Sequence, residues 1–381
     1  MKQQYTFTVP SFVHFGPGVA KKAGEIAIEF GAKKVLCIYD QEVAKIAAGI
    51  VQTLKDAGLE VFEFDGVIPN PTDAVMEEAA KLGREANVDM VFGIGGGSSI
   101  DTSKGVKVLL TNPSPINQYI GMGNIPNPTK PLCCIPTTAG TGSEVTSMTI
   151  ITEPKNSRKI AVGGRYLPPE VAIVDPELTL GMPPSVTAST GMDALTHAIE
   201  AYTCKLADPI TDALSLKAIQ LIYNNLPKAV FNGEDLQART DMLLGSMMAG
   251  IAFNNAFVAL VHSIAHPLSA RCNLPHGVAN AAVLPYVMEY NAPVVPERTI
   301  DIGIAMGLNL QGLDKAEACK KVVDEVYNLM KLVKIPTLKE AGVPESILET
   351  IAKDTMVEPP TSANPRIPTE ADVLAILKKA Y

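Results

Sequence analysis

The order of secondary-structure patterns along the chain constrains the fold more than any other feature of the sequence. In the first half, short β-branched runs alternate with stretches of helical periodicity. Strands are predicted at 33–40, 61–64 and 90–94, with helices at 43–57 and 74–87. Beyond residue 181, nearly every apolar stretch repeats with the period of a helix. This order predicts a doubly wound parallel α/β domain followed by an all-helical domain.

The size and charge of the chain limit its functional class. Its 381 residues suffice for two domains, which the change of pattern places at 1–181 and 182–381. A net charge of −8 without a dense Lys/Arg block argues against nucleic acid and anionic membranes as partners. The first residues lack the apolar run of a signal peptide, and most of the six cysteines are scattered. We therefore expect a cytoplasmic protein with reduced thiols.

A triple glycine follows the third predicted strand and leads into a helix predicted from Thr102. The loop includes Gly96, Gly97 and Ser98, small residues that let the backbone approach a phosphate closely. Free peptide N–H groups and the helix dipole then attract the anion. The loop matches neither the common dinucleotide fingerprint nor a nucleotide triphosphatase loop. It predicts an anion site, and the alternative is a plain tight turn between strand and helix.

A second polar loop, at 136–144, follows a strand predicted at 132–135. Its hydroxyl groups and glycines suit the sugar and phosphate groups of a cofactor, although a structural loop has a similar composition. Asp40 ends the first long strand, where a carboxylate can accept hydrogen bonds from ribose hydroxyls and repel a 2′-phosphate. That position favours NAD over NADP. The alternative is that Asp40 is a helix N-cap.

Histidines and one aspartate are spaced for a metal site in the helical half. Asp193 and His197 lie in a helix that is predicted to start after the Ser-Thr-Gly breaker at 189–191. They are four residues apart, so the helix places them on one face. Three of the five histidines of the chain, His262, His266 and His276, lie within fifteen residues of each other. One carboxylate with three imidazoles is a ligand set for a divalent first-row metal that keeps an open position for substrate. The alternative is a group of core histidines bonded to backbone carbonyls.

Four of these motifs, in the same order and at similar spacing, resemble the iron-dependent (group III) alcohol dehydrogenases. They are GGGS at 95–98, TTAGT at 137–141, GMDALTH at 191–197 and PHG at 275–277. That family includes lactaldehyde reductase, 1,3-propanediol dehydrogenase and NAD-dependent methanol and butanol dehydrogenases, and the resemblance runs nearly end to end. It implies the dehydroquinate synthase-like fold, with an N-terminal Rossmann-like dinucleotide domain and a C-terminal helical domain that binds metal and substrate.

The resemblance also assigns individual residues. It implies four metal ligands: Asp193, His197, His262 and His276. It places His266 beside the metal, near nicotinamide and substrate. Besides the glycine loop, it implies these contacts to NAD: Asp40, Asn70, Thr137, Thr138, Thr141, Lys159 and Leu178. The expected partners are a small alcohol or aldehyde and further copies of the chain, in a dimer or larger homo-oligomer.

The chemistry expected of these parts is hydride transfer. An aliphatic alcohol has a hydroxyl pKa of about 16, and a bound divalent cation lowers the pKa of a coordinated oxygen by roughly eight units. We expect the resulting alkoxide to pass hydride to the nicotinamide, and the reverse reaction to reduce an aldehyde. His266 is then either a relay for the hydroxyl proton or a packing residue. The family resemblance implies iron(II) as the metal, although this ligand set also suits zinc.

Two other functions remain open on the sequence. The first is a metal- and NAD-dependent lyase of the dehydroquinate synthase type, which would need Lys and Arg around the metal to hold a phosphorylated acid. The stretch from Asp193 to His276 carries few basic residues near the predicted ligands, which argues against it. The second is a non-catalytic metal or nucleotide binder, which leaves the combination of cofactor loop and open metal site unexplained.

Overall fold

The computed structural model describes residues 4–153 and 158–381. Within them the chain forms nine β-strands and thirteen α-helices, which fall into two compact units. The first unit, which contains the strands, comprises Val9–Thr138 and Gly142–Leu180. The second comprises the segment ending at Thr8, Ala139–Thr141 and Gly181–Tyr381.

The strands form two sheets. They are β1 (Phe12–Phe15), β2 (Lys34–Ile38), β3 (Glu60–Phe64), β4 (Met90–Gly95), β5 (Gly121–Met122), β6 (Leu132–Pro136), β7 (Met148–Glu153), β8 (Arg158–Gly163) and β9 (Val171–Val174). Six of them make one parallel sheet in the order β1-β9-β6-β4-β2-β3. This confirms the predicted parallel α/β arrangement. The other sheet has the order β5-β8-β7, with β7 antiparallel to β8, and the sequence patterns did not predict it.

Four helices accompany the parallel sheet: α1 (Ala23–Glu29), α2 (Ala44–Asp56), α3 (Asp73–Ala86) and α4 (Gly97–Leu109). Alternate residues of β2 belong to different apolar clusters, because successive side chains of a strand point to opposite faces. Val35 and Cys37 pack in the cluster that includes α1 and α2, and Leu36 and Ile38 in the one that includes α3 and α4. The sheet is therefore buried on both faces, which explains its continuous apolar runs.

The helix after the triple glycine begins earlier than predicted. We expected it from Thr102, but α4 begins at Gly97, directly after β4 and the N-cap residue Gly96. The helix packs so closely on β4 that a Cβ on Gly93 would lie 2.7 Å from Ser103 Oγ. Gly93, two residues before the triple glycine, thus permits close packing of the helix on the strand, and propensity alone does not reveal that.

The second unit is built from nine helices of the described chain. They are α5 (Pro184–Thr203), α6 (Pro209–Phe231), α7 (Leu236–Ala256), α8 (Leu260–Cys272), α9 (His276–Asn291), α10 (Pro296–Ala305), α11 (Lys315–Leu332), α12 (Leu348–Thr355) and α13 (Glu370–Ala380). Helix α5 packs against α6, α7 and α9, and α8 packs against α9 and α12. At the start of α6, Asp208 forms a capping box and accepts hydrogen bonds from the backbone N–H groups of Ile210 and Thr211.

One predicted breaker is wrong. The Ser-Thr-Gly sequence at 189–191 was expected to precede the helix that carries Asp193, yet α5 already begins at Pro184 and runs through it. Gly191 is buried, and a Cβ there would lie 2.8 Å from Met242 Cε and closer still to Leu226. Its small size lets α6 and α7 approach α5, so tertiary packing overrides the low helix propensity of glycine.

Two general expectations can be compared with the structure. All six cysteines are free thiols, and five of them are buried, as expected for packing residues. In the described residues, no single helix has the length and apolarity to cross a membrane. The pair α7 and α8, which is bent by 104°, meets those two criteria only when taken together.

Candidate metal centre and dinucleotide loops

Helix α5 presents three polar side chains from one buried face. Asp193 and His197 are one turn apart, and Glu200 follows in the next turn. All three side chains are buried although they are polar or ionisable. Burial of such groups is unfavourable unless they are bonded to partners, so their contacts define the site.

Helices α8 and α9 supply the other predicted ligands. His262 lies in the first turn of α8, His266 one turn later, and His276 is the first residue of α9. Phe257, which ends α7, has a φ of 80°, and this left-handed conformation turns the chain between α7 and α8. The C-cap residue of α8, Asn273, is also left-handed, with a φ of 52°. These turns bring the histidines of two helices to α5.

The side-chain atoms of three predicted ligands converge. The distance from Asp193 Oδ1 to His262 Nε2 is 4.0 Å, and the distance from Asp193 Oδ1 to His276 Nε2 is 3.9 Å. One ligand atom from each of these three residues lies within 4.8 Å of the other two. The fourth, His197, places its Nε2 3.0 Å from His262 Nε2. The structure therefore brings three predicted ligands into one cluster, and the fourth, His197, lies next to it beside His262.

The chemistry of these donors fits a divalent first-row metal. Imidazole nitrogen and carboxylate oxygen bind such ions at about 2.0–2.2 Å, so donor atoms around 4 Å apart can share one ion. The amide of Asn280, on α9, donates to Asp193 Oδ1 at 2.6 Å. Its own oxygen, Oδ1, is buried and has no hydrogen-bond partner among the described residues. The residues present thus fit the metal that the sequence predicted.

Glu200 supports one of these histidines. Its carboxylate accepts hydrogen bonds from His262 Nδ1 at 2.6 Å and from the backbone N–H groups of Ala259 and Val261 at 2.9 and 2.6 Å. Burial raises the pKa of the Glu200 carboxyl to about 7, while the backbone donors act in the opposite direction. The second nitrogen of His262 is thereby directed toward Asp193.

Two further contacts orient the other rings. His197 Nδ1 lies 3.3 Å from the carbonyl oxygen of Gly140, and its ring stacks on Phe253 with centroids 4.4 Å apart. His266 is hydrogen-bonded through Nδ1 to Glu358 Oε2 at 2.8 Å, and its ring stacks on that of His276. The predicted proton relay therefore lies beside a predicted ligand and has a carboxylate partner of its own.

The glycine loop of the first unit presents an open helix N-terminus. Gly96 caps α4, and Gly97 and Ser98 form its first turn, where backbone N–H groups have no partner within the helix. A Cβ on Gly96 would lie 3.4 Å from Thr138, which places the predicted loop residue Thr138 against the glycine loop. Thr137 donates its backbone N–H to the carbonyl of Gly95. The two loops that the sequence assigned to a cofactor are thus adjacent.

The remaining predicted cofactor residues occupy several places. Asp40 is the N-cap of a short 3₁₀ helix, which was the alternative interpretation, and it also accepts a hydrogen bond from Ser99 Oγ at 3.0 Å. Asn70 has a left-handed φ of 54°. Lys159, on β8, is near enough to Asp101 for its charge to lower the pKa of that carboxyl, which burial raises overall. The last two are placed as follows: Leu178 lies in a 3₁₀ helix of the first unit, and Thr141 is grouped with the second.

Sequence reasoning missed three residues of the metal centre. They are Glu200, Asn280 and Glu358. Glu200 and Asn280 had a readable signal, because they lie three and four residues after His197 and His276 on the same helices. Glu358 had none, since it is 92 residues from His266 and reaches it through tertiary folding.

Comparisons with known proteins identify the family of the chain. The family profile described as "Iron-containing alcohol dehydrogenase" matches residues 10–176, and the one described as "Fe-containing alcohol dehydrogenase family, C-terminal" matches residues 187–381. The chain is 38% identical to the 1,3-propanediol dehydrogenase of Klebsiella pneumoniae, with 100% of this chain and 99% of that protein covered. It is 39% identical to the NAD-dependent methanol dehydrogenase of Bacillus methanolicus, with 98% and 99% covered.

A solved structure leads to the same family. The crystal structure of a 1,3-propanediol oxidoreductase superposes with a TM-score of 0.97 at 38% identity, and both chains are covered completely. These matches favour a dehydrogenase over the lyase and over a non-catalytic binder. The chain belongs to the iron-containing alcohol dehydrogenase family, and it is an alcohol dehydrogenase that uses NAD and iron to interconvert alcohols and aldehydes.

Proposed function

We propose that this dehydrogenase acts on small primary alcohols and their aldehydes, with its iron held by Asp193, His197, His262 and His276. The observation that carries the proposal is the convergence of donor atoms from α5, α8 and α9, with Asp193 Oδ1 3.9 and 4.0 Å from two imidazole nitrogens. The names of two relatives, a 1,3-propanediol dehydrogenase and a methanol dehydrogenase, support a small alcohol as the substrate.

The residues around the ligands divide the chemical work. A bound divalent ion supplies Lewis acidity, which lowers the hydroxyl pKa of an alcohol from about 16. We propose that His266 Nε2 accepts the proton of that hydroxyl. The hydrogen bond between His266 Nδ1 and Glu358 supports this, because an Nδ1–H donated to a carboxylate leaves Nε2 as the acceptor. Phe253, stacked on His197, excludes water from one side of the ligands.

The cofactor is proposed to bind at the two loops of the first unit. The pyrophosphate of NAD would lie at the N-terminus of α4, where the N–H groups of Gly97 and Ser98 and the helix dipole favour an anion. Asp40 would accept hydrogen bonds from the ribose hydroxyls. Other proposed contacts are Asn70, Gly96, Thr137, Thr138, Thr141, Lys159 and Leu178.

Further features of the protein belong to the same proposal. We propose that residues 1–181 act as the dinucleotide domain and 182–381 as the metal and substrate domain, in a cytoplasmic homo-oligomer of two or more copies. Six free cysteines support the reducing compartment. The net charge of −8 supports a function without nucleic acid or membrane partners. Light scattering of the purified protein measures the number of copies.

A substrate panel tests the function directly. Anaerobically prepared protein is incubated with iron(II), NAD and, separately, ethanol, butanol, 1,2-propanediol and 1,3-propanediol, and the absorbance of NADH is followed. We expect the highest kcat/KM with an unbranched primary alcohol. Turnover with none of the four alcohols, or none with their aldehydes and NADH, would refute the proposal. Metal analysis of the same sample decides between iron and zinc, and full activity with stoichiometric zinc contradicts iron.

A further inference from the structure

A buried carboxylate connects two of the helices that carry the proposed ligands. Glu200 projects from α5 and receives three hydrogen bonds, from His262 Nδ1 and from the backbone N–H groups of Ala259 and Val261. It lies seven residues after Asp193, two turns along the same helix. One side chain of α5 thus holds both the backbone and the histidine at the start of α8.

The hydrogen bonds from the backbone N–H groups of Ala259 and Val261 cap α8. The N-cap residue of α8 is Ala259, whose methyl side chain cannot accept a hydrogen bond. Glu200 replaces the missing cap from a neighbouring helix, and its negative charge lies at the positive end of the α8 dipole. A capping residue alone would contribute to stability and would have no effect on the ligands.

The hydrogen bond between Glu200 and His262 Nδ1 selects the tautomer of His262. A neutral imidazole donates from one nitrogen and offers a lone pair on the other. Because Glu200 takes the hydrogen bond of Nδ1 at 2.6 Å, the lone pair belongs to Nε2, the atom that lies 4.0 Å from Asp193 Oδ1 and 3.0 Å from His197 Nε2. Only this tautomer presents a metal-binding atom to the other donors.

Little solvent surrounds the carboxylate. Glu200 is buried, and the cavity that it lines has a volume of about 20 Å³, which is room for roughly one water molecule. A neutral water is a weaker acceptor than a carboxylate, because hydrogen bonds to an ionised group are shorter and stronger. Removal of the negative charge would therefore leave His262 Nδ1 with a weaker acceptor than Glu200.

We propose that Glu200 is a positioning residue that fixes the tautomer and ring orientation of His262 and thereby the metal affinity of the site. This inference rests on the ligand set given under Proposed function. Outer partners of this kind change metal affinity by about 10- to 100-fold when they are removed.

The test uses the nearly isosteric variant Glu200→Gln and a matched control. A glutamine has one acceptor oxygen where the carboxylate has two, so it cannot satisfy all three donors and can donate to His262 Nδ1 instead. Asp208→Asn is the control, because Asp208 is also a buried carboxylate that caps a helix of the same unit through two backbone N–H groups. Chelator-treated proteins are titrated with cobalt(II), and thermal unfolding is recorded in parallel.

The proposal predicts different results for the two variants. Both should lower the melting temperature, but only Glu200→Gln should weaken cobalt binding, by about 10- to 100-fold, and alter the d–d absorption of the bound ion. Equal cobalt affinity in Glu200→Gln and the wild type would overturn the proposal. Glu200 would then serve only as the cap of α8. The ring ¹⁵N shifts of His262 in the wild-type protein give a second measurement. A proton on Nε2 there overturns the proposal even if the glutamine variant does not fold.

A third variant separates this inference from the proposed function. His262→Ala should abolish tight cobalt binding. If it binds cobalt as the wild type does, the ligand set is wrong and the inference fails with it. If His262→Ala loses cobalt while Glu200→Gln keeps full affinity, the ligand set stands and only the inference about Glu200 is overturned.

Discussion

Replacing Gly277 by alanine should disturb the metal centre although no proposed ligand is replaced. Gly277 is the second residue of α9, next to His276, and it faces the backbone of α5. A Cβ at this position would lie 2.8 Å from the carbonyl carbon of Ser189 and closer still to its oxygen. Real Cβ atoms do not approach other heavy atoms within 3.0 Å, and backbone atoms cannot swing aside as a flexible side chain does. Helices α5 and α9 must therefore separate.

The size of that separation sets the expected effect. Relief of the overlap requires a shift of roughly 0.5–1 Å, because packed helices have no free volume to absorb it. The shift acts on the 3.9 Å distance between Asp193 Oδ1 and His276 Nε2, whereas metal–ligand distances tolerate only about 0.2 Å. Overpacking of this kind destabilises a fold by about 1–3 kcal/mol. We expect Gly277→Ala to unfold at a lower temperature and to bind metal about tenfold or more weakly.

Cobalt titration and thermal unfolding of Gly277→Ala and of Gly181→Ala measure both effects. Gly181 is the matched control, since a Cβ there meets no atom within 4 Å. Gly181→Ala should resemble the wild type in both measurements. Wild-type cobalt affinity in Gly277→Ala would show that the contact between α9 and α5 does not determine the position of His276, and would refute this reasoning.

Three other substitutions address separate parts of the protein. His262→Ala should abolish metal retention and turnover while NAD affinity, measured by fluorescence titration, stays close to that of the wild type; normal metal content would contradict this. Burial raises the pKa of Glu144 from 4.5 to about 7. The folded state then binds more protons than the unfolded state between these values, so this group makes the protein less stable as the pH rises through that range. Glu144→Gln should remove this loss of stability. The free energy of unfolding of the variant, minus that of the wild type, should therefore be larger at about pH 8 than at about pH 5. An equal difference at both pH values would contradict this prediction. Lys104 is fully buried and donates to Ser143 Oγ, Thr146 Oγ1 and the carbonyl of Met148. Its charge also interacts with the buried carboxyl of Asp101, which Lys104→Met would leave without its opposite charge. Lys104→Met should therefore destabilise the fold by about 3–5 kcal/mol in a urea titration, whereas Lys45→Met, at an exposed position of α2, should have little effect.

The sequence patterns predicted the elements that repeat and missed those whose cause is distant in the chain. Four strands of the parallel sheet (β2, β3, β4 and β6) were predictable because burial on both faces produces continuous apolar runs. The two others, β1 and β9, have only four residues each and were not predicted. The sheet of β5, β7 and β8 was not predicted. Its strand β5 has only two residues, too few for a periodic signal, whereas β7 and β8 have six each and were overlooked. The start of α5 was placed too late because Gly191 was interpreted as a breaker, whereas its contacts with Leu226 and Met242 keep it inside the helix.

The same limit applies to the candidate site. Asp193 and His197 could be paired from sequence because helical spacing fixes their proximity. The proximity of His262 and His276 to them was inferred from clustering and from family resemblance, since periodicity does not say how helices pack. Glu358 was beyond any such argument, because its contact with His266 depends on how the segment after α12 folds back on α8.

The buried carboxyl groups of the metal centre give a physical reason for a cation there. Asp193 and Glu200 are both buried, and each accepts hydrogen bonds, Asp193 from the amide of Asn280 and Glu200 from two peptide N–H groups and an imidazole. Burial raises the pKa of the Glu200 carboxyl to about 7, which means that its negative charge is costly in these surroundings. A cation held by the proposed ligands would offset this cost, because an opposite charge nearby favours the ionised form. Glu200 does not belong to the proposed ligand set, yet its carboxyl would contribute to the affinity of the site for a cation in this way as well as through its hydrogen bond to His262.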